Sequence, residues 1–438
     1  MEERMKYSLG PFAILTFIYF IVGFLTTING QLQGPLENVF FSEAYNLKNT
    51  LSTLVSFFFF LGYLLNGRLG GKLINSCGYK ATLLRALCIM IAGLCMYSLS
   101  SWFVYNYGYL SFCIMEDTVS YGYFIFLLGA YLMGTSAALL QVVINPYVAA
   151  YELPNTQPVQ RMNIVCAINS FGTTIAPFFV TGVIFSGVAL NNISPEQLML
   201  PFLLIALCVI IVTLVTSRLN LPDLCNTHTE EGENLEKSVW AFSHLKLGVI
   251  AIFFYVGAEV SVGVNVNLHA IELIEAGYPL YIFGKEHIVL WGLDLGIPAL
   301  LATLYWGGLM IGRLIFSFFN NISPKRLLIV TTVIAILLMI ISIIMNNLWI
   351  LVSVGLCHSV MWGCIFTLAI KGLKKYTSKA SGVFMMGVFG GAIFPVVQGV
   401  LADAIGSWRF TWIIPMVCEL VMFYYALYGS RIKDKECL

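Results

Sequence analysis

About twelve long apolar segments, separated by short connections that hold nearly all of the charge, divide this chain from end to end. A bilayer core about 30 Å thick takes helices of roughly 20 apolar residues, so the pattern describes a polytopic membrane protein. With 59% hydrophobic residues and only 10% charged ones, the 438 residues carry too little charge to cover a soluble surface. Helices are predicted near 11–36, 51–74, 80–100, 119–150, 164–189, 199–217, 245–272, 289–319, 326–345, 348–370, 380–402 and 409–429. In lipid every backbone donor and acceptor must be paired internally, and the alternating ten-residue segments of a β-barrel do not occur in this sequence.

Charge sidedness tests the helix count independently, because Lys and Arg are retained on the cytoplasmic side of short loops. With both termini cytoplasmic, all of the 23 Lys and Arg except Lys48, Lys285 and Arg409 fall on that side. An odd number of helices would spoil this separation. Glu37, Glu43, Glu116, Asp117, Glu272, Glu275 and Glu286 then face outward. The N-terminal MEERMKYSLG is too polar and short to supply the apolar region of a cleavable signal, so the first helix is expected to stay in the protein. The eleven Cys are scattered, mostly within helices, and form neither a metal nor a disulfide framework. A net charge of +1 with no basic stripe offers nothing to nucleic acid. The expected setting is a bacterial inner (plasma) membrane, with lipid around a monomer.

Residues 218–244 change character, with Pro222, Asp223 and the acidic run Glu230, Glu231, Glu233 and Glu236. They read as a solvated cytoplasmic linker between six-helix bundles at 1–217 and 245–438. Internal similarity supports that division. Gly67-Arg68 is followed twelve residues later by Lys80, as Gly312-Arg313 is by Lys325, and Gly172 and Pro177 are spaced like Gly390 and Pro395. Each pair sits in corresponding helices of the two halves, as duplicated bundles require.

Polar residues at membrane depth need a partner, water or a ligand. Predicted helix 1 offers Asn29, Gln31 and Gln33, helix 4 offers Gln141 and Asn145, and helix 5 offers Asn163 and Asn169. The second half adds Glu259, Asn265 and Asn267, then His358 and Gln398, with Tyr255, Trp306, Trp362 and Tyr63 as aromatic neighbours. A carboxamide presents both donor and acceptor, matching sugar hydroxyls, and an aromatic ring can stack on a sugar's apolar face. Interhelical hydrogen bonds and interfacial packing account for such residues equally well. No phosphate-cradling loop, metal spacing or nucleophile set is present, so neither ATP drive, an enzyme nor a cofactor is expected.

The stretches Gln141-Val-Val-Ile-Asn145-Pro146-Tyr147, Asn169-Ser170-Phe171-Gly172, Tyr255-Val-Gly257-Ala-Glu259-Val-Ser261, Tyr305-Trp306-Gly307-Gly308 and Gly390-Gly391-Ala-Ile-Phe-Pro395-Val-Val-Gln398-Gly399 resemble the fucose, galactose and glucose permeases of the major facilitator superfamily. Ile365 through Leu373 extends the resemblance through both halves. It implies an all-α membrane protein of twelve transmembrane helices in two pseudo-symmetric six-helix bundles, moving a monosaccharide by alternating access with a co-transported proton. The implied site is lined by Gln31, Gln141, Asn145 and Asn169 from the first half and by Glu259, Asn265, Trp362 and Gln398 from the second. Arg68 and Lys80, with Arg161 and Arg313, resemble the anchoring positions of the superfamily's inner loops; positive-inside topology alone is the alternative.

Two departures bear on coupling. Fucose-importing relatives carry an Asp in helix 1 and a Glu in helix 4, where this chain has Gly30 or Gln31 and Gln141. An amide cannot change protonation state near neutral pH. Glu259 and Glu419 are the carboxylates left deep within predicted helices. Glu259 is the coupling candidate, for H+ or, less favoured, Na+, with acceptance of a sugar hydroxyl or a structural hydrogen bond as its other readings; Glu419 reads as peripheral or paired with a neighbour. An uncoupled uniporter and a non-transporting sugar receptor remain the alternatives.

Overall fold

The computed structural model describes residues 9–41, 47–114, 117–150, 158–185, 193–221, 238–278, 280–290, 293–317, 323–373, 376, 380 and 383–432. Twelve helices among the described residues are long and apolar enough to cross a membrane. They are α1 (Leu9–Gln31), α2 (Lys48–Gly67), α3 (Ser76–Tyr107), α4 (Gly122–Asn145), α5 (Ile164–Ile184), α6 (Glu196–Arg218), α7 (Ser243–Glu275), α8 (Ile297–Phe316), α9 (Pro324–Met345), α10 (Leu348–Ile370), α11 (Val383–Ile405) and α12 (Arg409–Gly429). They form two bundles, α1–α6 and α7–α12. The centre of the expected linker, 222–237, lies outside the described residues.

Local chemistry sets the helix ends. Gly78, at φ 79°, kinks the helical run that joins α2 to α3, within the first turn of α3. Ser323 caps α9 by accepting from the Arg326 amide, with Pro324 in the first turn, and Asn347 caps α10 through the amides of Trp349 and Ile350. Helix 1 is predicted to reach residue 36, but it ends at Gln31 and a short helix, Gln33–Phe40, follows. Pro35 explains the break, since it lacks the amide hydrogen that would bond the Gln31 carbonyl.

Helices 4 and 8 begin later than predicted, at Gly122 and Ile297. The preceding residues form two antiparallel ribbons, β1 (Ser111–Ile114) with β2 (Asp117–Ser120) and β3 (His287–Leu290) with β4 (Leu293–Gly296). Their β-branched and aromatic residues favour strands once outside lipid. The first ribbon is clamped to the start of α2, where Asp117 Oδ2 accepts from the Leu47 amide at 2.6 Å.

Close approach of helices depends on small residues. A Cβ at Gly172 of α5 would fall 2.6 Å from the Phe20 carbonyl oxygen of α1, and one at Gly390, entering α11, 1.7 Å from that of Phe253 in α7. The same contact thus recurs in both bundles. The anchoring lysines repeat as well. Lys80 Nζ, at the start of α3, donates to the carbonyls of Ser217 and Leu219 at the end of α6 (2.9 and 2.8 Å). Lys325 Nζ, at the start of α9, donates to the Leu427 carbonyl at the end of α12 (3.1 Å). Helices α6 and α9 are peripheral and expose apolar ridges, including Leu200, Leu204, Leu207 and Leu214 on one and Val330, Leu337 and Ile344 on the other. Such surfaces suit lipid tails.

Candidate functional site

On α4, Gln141 and Asn145 lie one turn apart on the same face, both half-buried. Gln141 Nε2 donates to the Tyr63 hydroxyl of α2 at 3.0 Å. The Asn145 carboxamide lies against the Tyr19 hydroxyl of α1, and its buried Oδ1 has no hydrogen-bond partner among the described residues. Asn169 Nδ2 donates to the Tyr19 backbone carbonyl at 2.7 Å. Tyr19, which the sequence reading passed over, is therefore the hub of the amino-terminal cluster.

The facing cluster is built on α7. Half-buried Glu259 presents its carboxyl to the Tyr255 hydroxyl, with Arg313 and His358 within electrostatic reach. Trp362 of α10 packs edge-to-face on Tyr255, ring centroids 6.3 Å apart, and on Phe384 at 6.0 Å. Arg313 stands near the end of α8, inside the predicted helix 289–319. It bridges the bundles, its Nη1 donating to Ser170 Oγ of α5 at 2.5 Å and its Nε to the Ser359 carbonyl at 3.3 Å. From there it reaches Tyr19 and Cys166 on one side and Tyr255 and Glu259 on the other. A guanidinium held this way links the two clusters through fixed donors.

The remaining expected site residues lie nearer the membrane face opposite the termini. Gln31 is buried and its Nε2 donates to the Gly263 carbonyl of α7 at 3.1 Å, joining the bundles. Asn265 Nδ2 donates to Gln398 Oε1 at 2.9 Å, and Gln398 Nε2 donates to Thr411 Oγ1 at 3.0 Å; both amides are fully buried. In this conformation these three side chains spend amide hydrogens on protein acceptors. Gln141, Asn145, Asn169, Glu259 and Trp362 remain as the half-buried set.

The face opposite the termini is closed by contacts between the bundles. Asp403, near the end of α11, accepts at Oδ1 from the Asn49 amide and Nδ2 (3.2 and 2.8 Å) and at Oδ2 from the Thr50 amide and hydroxyl (2.8 and 2.5 Å). The Trp408 indole donates to Asn49 Oδ1 at 3.0 Å. Lys48 pairs with Glu37 at 3.0 Å and approaches Glu275 of the other bundle at 3.9 Å. Of the anchoring positions, Lys80 ties α3 to α6, and buried Arg161 donates through Nε to the Val148 carbonyl at 3.1 Å. The side chain of Arg68 lies outside the described residues.

Two paired bundles, a polar layer between them and one face latched shut define a membrane carrier that works by alternating access. The sequence model of the Major Facilitator Superfamily matches residues 19–394, and the chain belongs to that superfamily as a multi-pass secondary transporter of a small solute. It is 32% identical to a glucose/galactose transporter of Brucella abortus, over 95% of this chain and 93% of that protein. It is 25% identical to the L-fucose-proton symporter of Escherichia coli, over 96% and 93%. The inward-open structure of the xylose transporter of E. coli superposes with a TM-score of 0.71, at 14% identity and covering 98% of each chain.

Three features escaped the sequence reading: the role of Tyr19, the inter-bundle position of Arg313, and a contact between His358 and Glu419. Both partners of that contact were visible as polar residues at membrane depth. Their pairing joins positions 61 residues apart and carries no local signature.

Proposed function

We propose that the protein is a monosaccharide carrier, with glucose or galactose favoured over fucose, operating in a bacterial inner membrane as a monomer with both termini cytoplasmic. Bundles at 1–217 and 245–438, joined by 218–244, rock about a site between them. The observation that carries this reading is the facing of Gln141, Asn145 and Asn169 with Glu259 and Trp362 across Arg313. Amides, a carboxyl and a ring edge form the donor, acceptor and apolar mixture that a pyranose presents. The similarity to the glucose/galactose transporter of Brucella abortus and the L-fucose-proton symporter of E. coli adds support for a hexose. Gln31, Asn265 and Gln398 join the site when the latched face opens. Coupling to H+ is the favoured drive and Na+ the alternative, with Glu259 the carboxyl nearest the sugar.

Exchange of labelled hexose in liposomes tests the reading. Loss of one hydrogen bond costs about 1.4 kcal/mol, or about tenfold in affinity, so Gln141→Ala and Asn169→Ala each weaken half-saturation by roughly that factor. Unchanged half-saturation in the double variant places the sugar elsewhere. Failure of the unmodified protein to exchange any hexose removes the substrate class.

A further inference from the structure

The most deeply buried ionisable pair described in the membrane is outside the proposed sugar contacts. Glu419 of α12 and His358 of α10 are both 0% exposed, and Glu419 Oε1 lies 2.7 Å from His358 Nε2. Glu419 Oε2 is also buried and has no hydrogen-bond partner among the described residues. A bare ionised oxygen in this position is costly, because burying an unpaired charge costs far more than burying a neutral polar group. On its other side, His358 Nδ1 lies 2.6 Å from the Tyr305 hydroxyl, which in turn lies 3.0 Å from the backbone carbonyl of Glu259. Tyr255, beside the Glu259 carboxyl, donates to the His358 carbonyl at 2.9 Å.

We propose that the His358–Glu419 pair is the site that binds the transported proton, and that the Tyr305 hydroxyl reports its occupancy to α7 at Glu259. This extends the carrier reading above and rests on it for the sugar alone.

Hydrogen positions give the mechanism, since each atom in the chain has limited donor capacity. When Tyr305 donates to the Glu259 carbonyl, its oxygen accepts from His358 Nδ1–H. The short Nε2···Oε1 contact then requires a further proton, shared between imidazole and carboxyl, and the pair is neutral overall. When the pair releases a proton, it is the one on Nδ1 that leaves, and the shared hydrogen stays at Nε2, facing the carboxylate. Nδ1 becomes an acceptor, and Tyr305 turns its hydroxyl hydrogen to it. The Glu259 carbonyl loses its donor, and the pair carries one negative charge. One proton is taken up on one side of the membrane and released on the other; no other bond changes.

The groups facing the pair are Tyr255 and Glu259 from α7, Tyr305 and Arg313 from α8, Cys357 beside His358 on α10, and Cys418 beside Glu419 on α12. Residues 327–345 of α9 include no ionisable side chain. Arg313, the fixed cation of the set, acts on Tyr255, Glu259 and Tyr305 around the pair. The same arginine holds Ser170 of the other bundle, giving the charge change a route to the bundle interface.

Glu419→Gln keeps the size and a hydrogen bond to His358 but removes the titration, and His358→Gln is the second variant. In liposomes a pH gradient of one unit supports at most about tenfold accumulation for one proton per sugar. The ratio of gradient-driven accumulation to exchange should fall to that of an uncoupled carrier in either variant. A readout independent of sugar is the infrared carbonyl region of buried carboxylic acids in the reconstituted protein, compared between the unmodified protein and Glu419→Gln, because Glu37 contributes there as well. One component should disappear on titration to high pH and be missing from Glu419→Gln at every pH. Full accumulation in Glu419→Gln, spectra of that variant and the unmodified protein that match in this region, or coupling lost only in Glu259→Gln overturns the proposal. So does exchange without accumulation by the unmodified protein. If it exchanges no hexose, the sugar reading fails while the infrared band still decides the proton site.

Discussion

Glu37 lies between α1 and α2, with its carboxyl almost fully buried beside Lys48 and accepting from Ser52 Oγ at 2.8 Å. Burial pushes its pKa up from 4.5 to about 7, against the opposing pull of Lys48 and the Ser52 hydrogen bond. The folded protein therefore holds a proton there that the unfolded chain releases at about pH 4.5. Stability should fall as pH rises from about 4.5 to about 7, by on the order of 3 kcal/mol, and be flat in this group's contribution outside that window. Thermal unfolding of the purified protein across this range checks the sign. Glu37→Gln should remove that part of the pH slope, and an unchanged slope assigns it to another group. Sequence marked Glu37 as an outward acid, because charge sidedness is a property of single residues. It could not mark Tyr19, an aromatic residue within an apolar helix whose importance comes from what α4 and α5 bring to it.

Among the elements, α2 begins with no capping side chain of its own, and the carboxylate of Asp403 supplies the cap from the opposite bundle. A negative group at a helix N-terminus is favourable both for the free amides and for the helix dipole. Opening that face requires α2 to give up this cap, so Asp403 biases the carrier toward the conformation described here. Asp403→Ala should shift the balance between closed and open by about 2 kcal/mol, roughly thirtyfold, toward opening. Spin-label distances between the start of α2 and the end of α11 measure it, and an unaltered distribution rules out the latch. Sequence located both helices, since their apolar runs are long. The two β-ribbons were missed because each strand has four residues and borders an apolar run, where a helix prediction extends by default. The break after Gln31 was legible in Pro35 but was submerged in the same apolar continuity.

Across the whole molecule, the duplicated signals of the sequence acquire matching physical roles. Lys80 and Lys325 close corresponding helix ends, while Gly172 and Gly390 admit corresponding backbones. The coupling proposed above does not follow that symmetry. Its candidate groups gather in α7, α8, α10 and α12, whereas the amino-terminal cluster contributes amides, which is consistent with Gln141 occupying the position implied for a carboxylate. Alternating access then makes a demand that a receptor would not: the face joining α2 to α11 must open in every cycle. A Cβ built on Gly399 falls 2.7 Å from Thr53 Oγ1 and 3.0 Å from its Cγ2, so cysteines at 53 and 399 lie within reach of a disulfide in this conformation. In a background without accessible native thiols, oxidation of Thr53→Cys with Gly399→Cys should stop exchange, and reduction should restore it. A binding-only protein needs no such opening for turnover, and a fully cross-linked protein that still exchanges solute would show that this face does not gate the path.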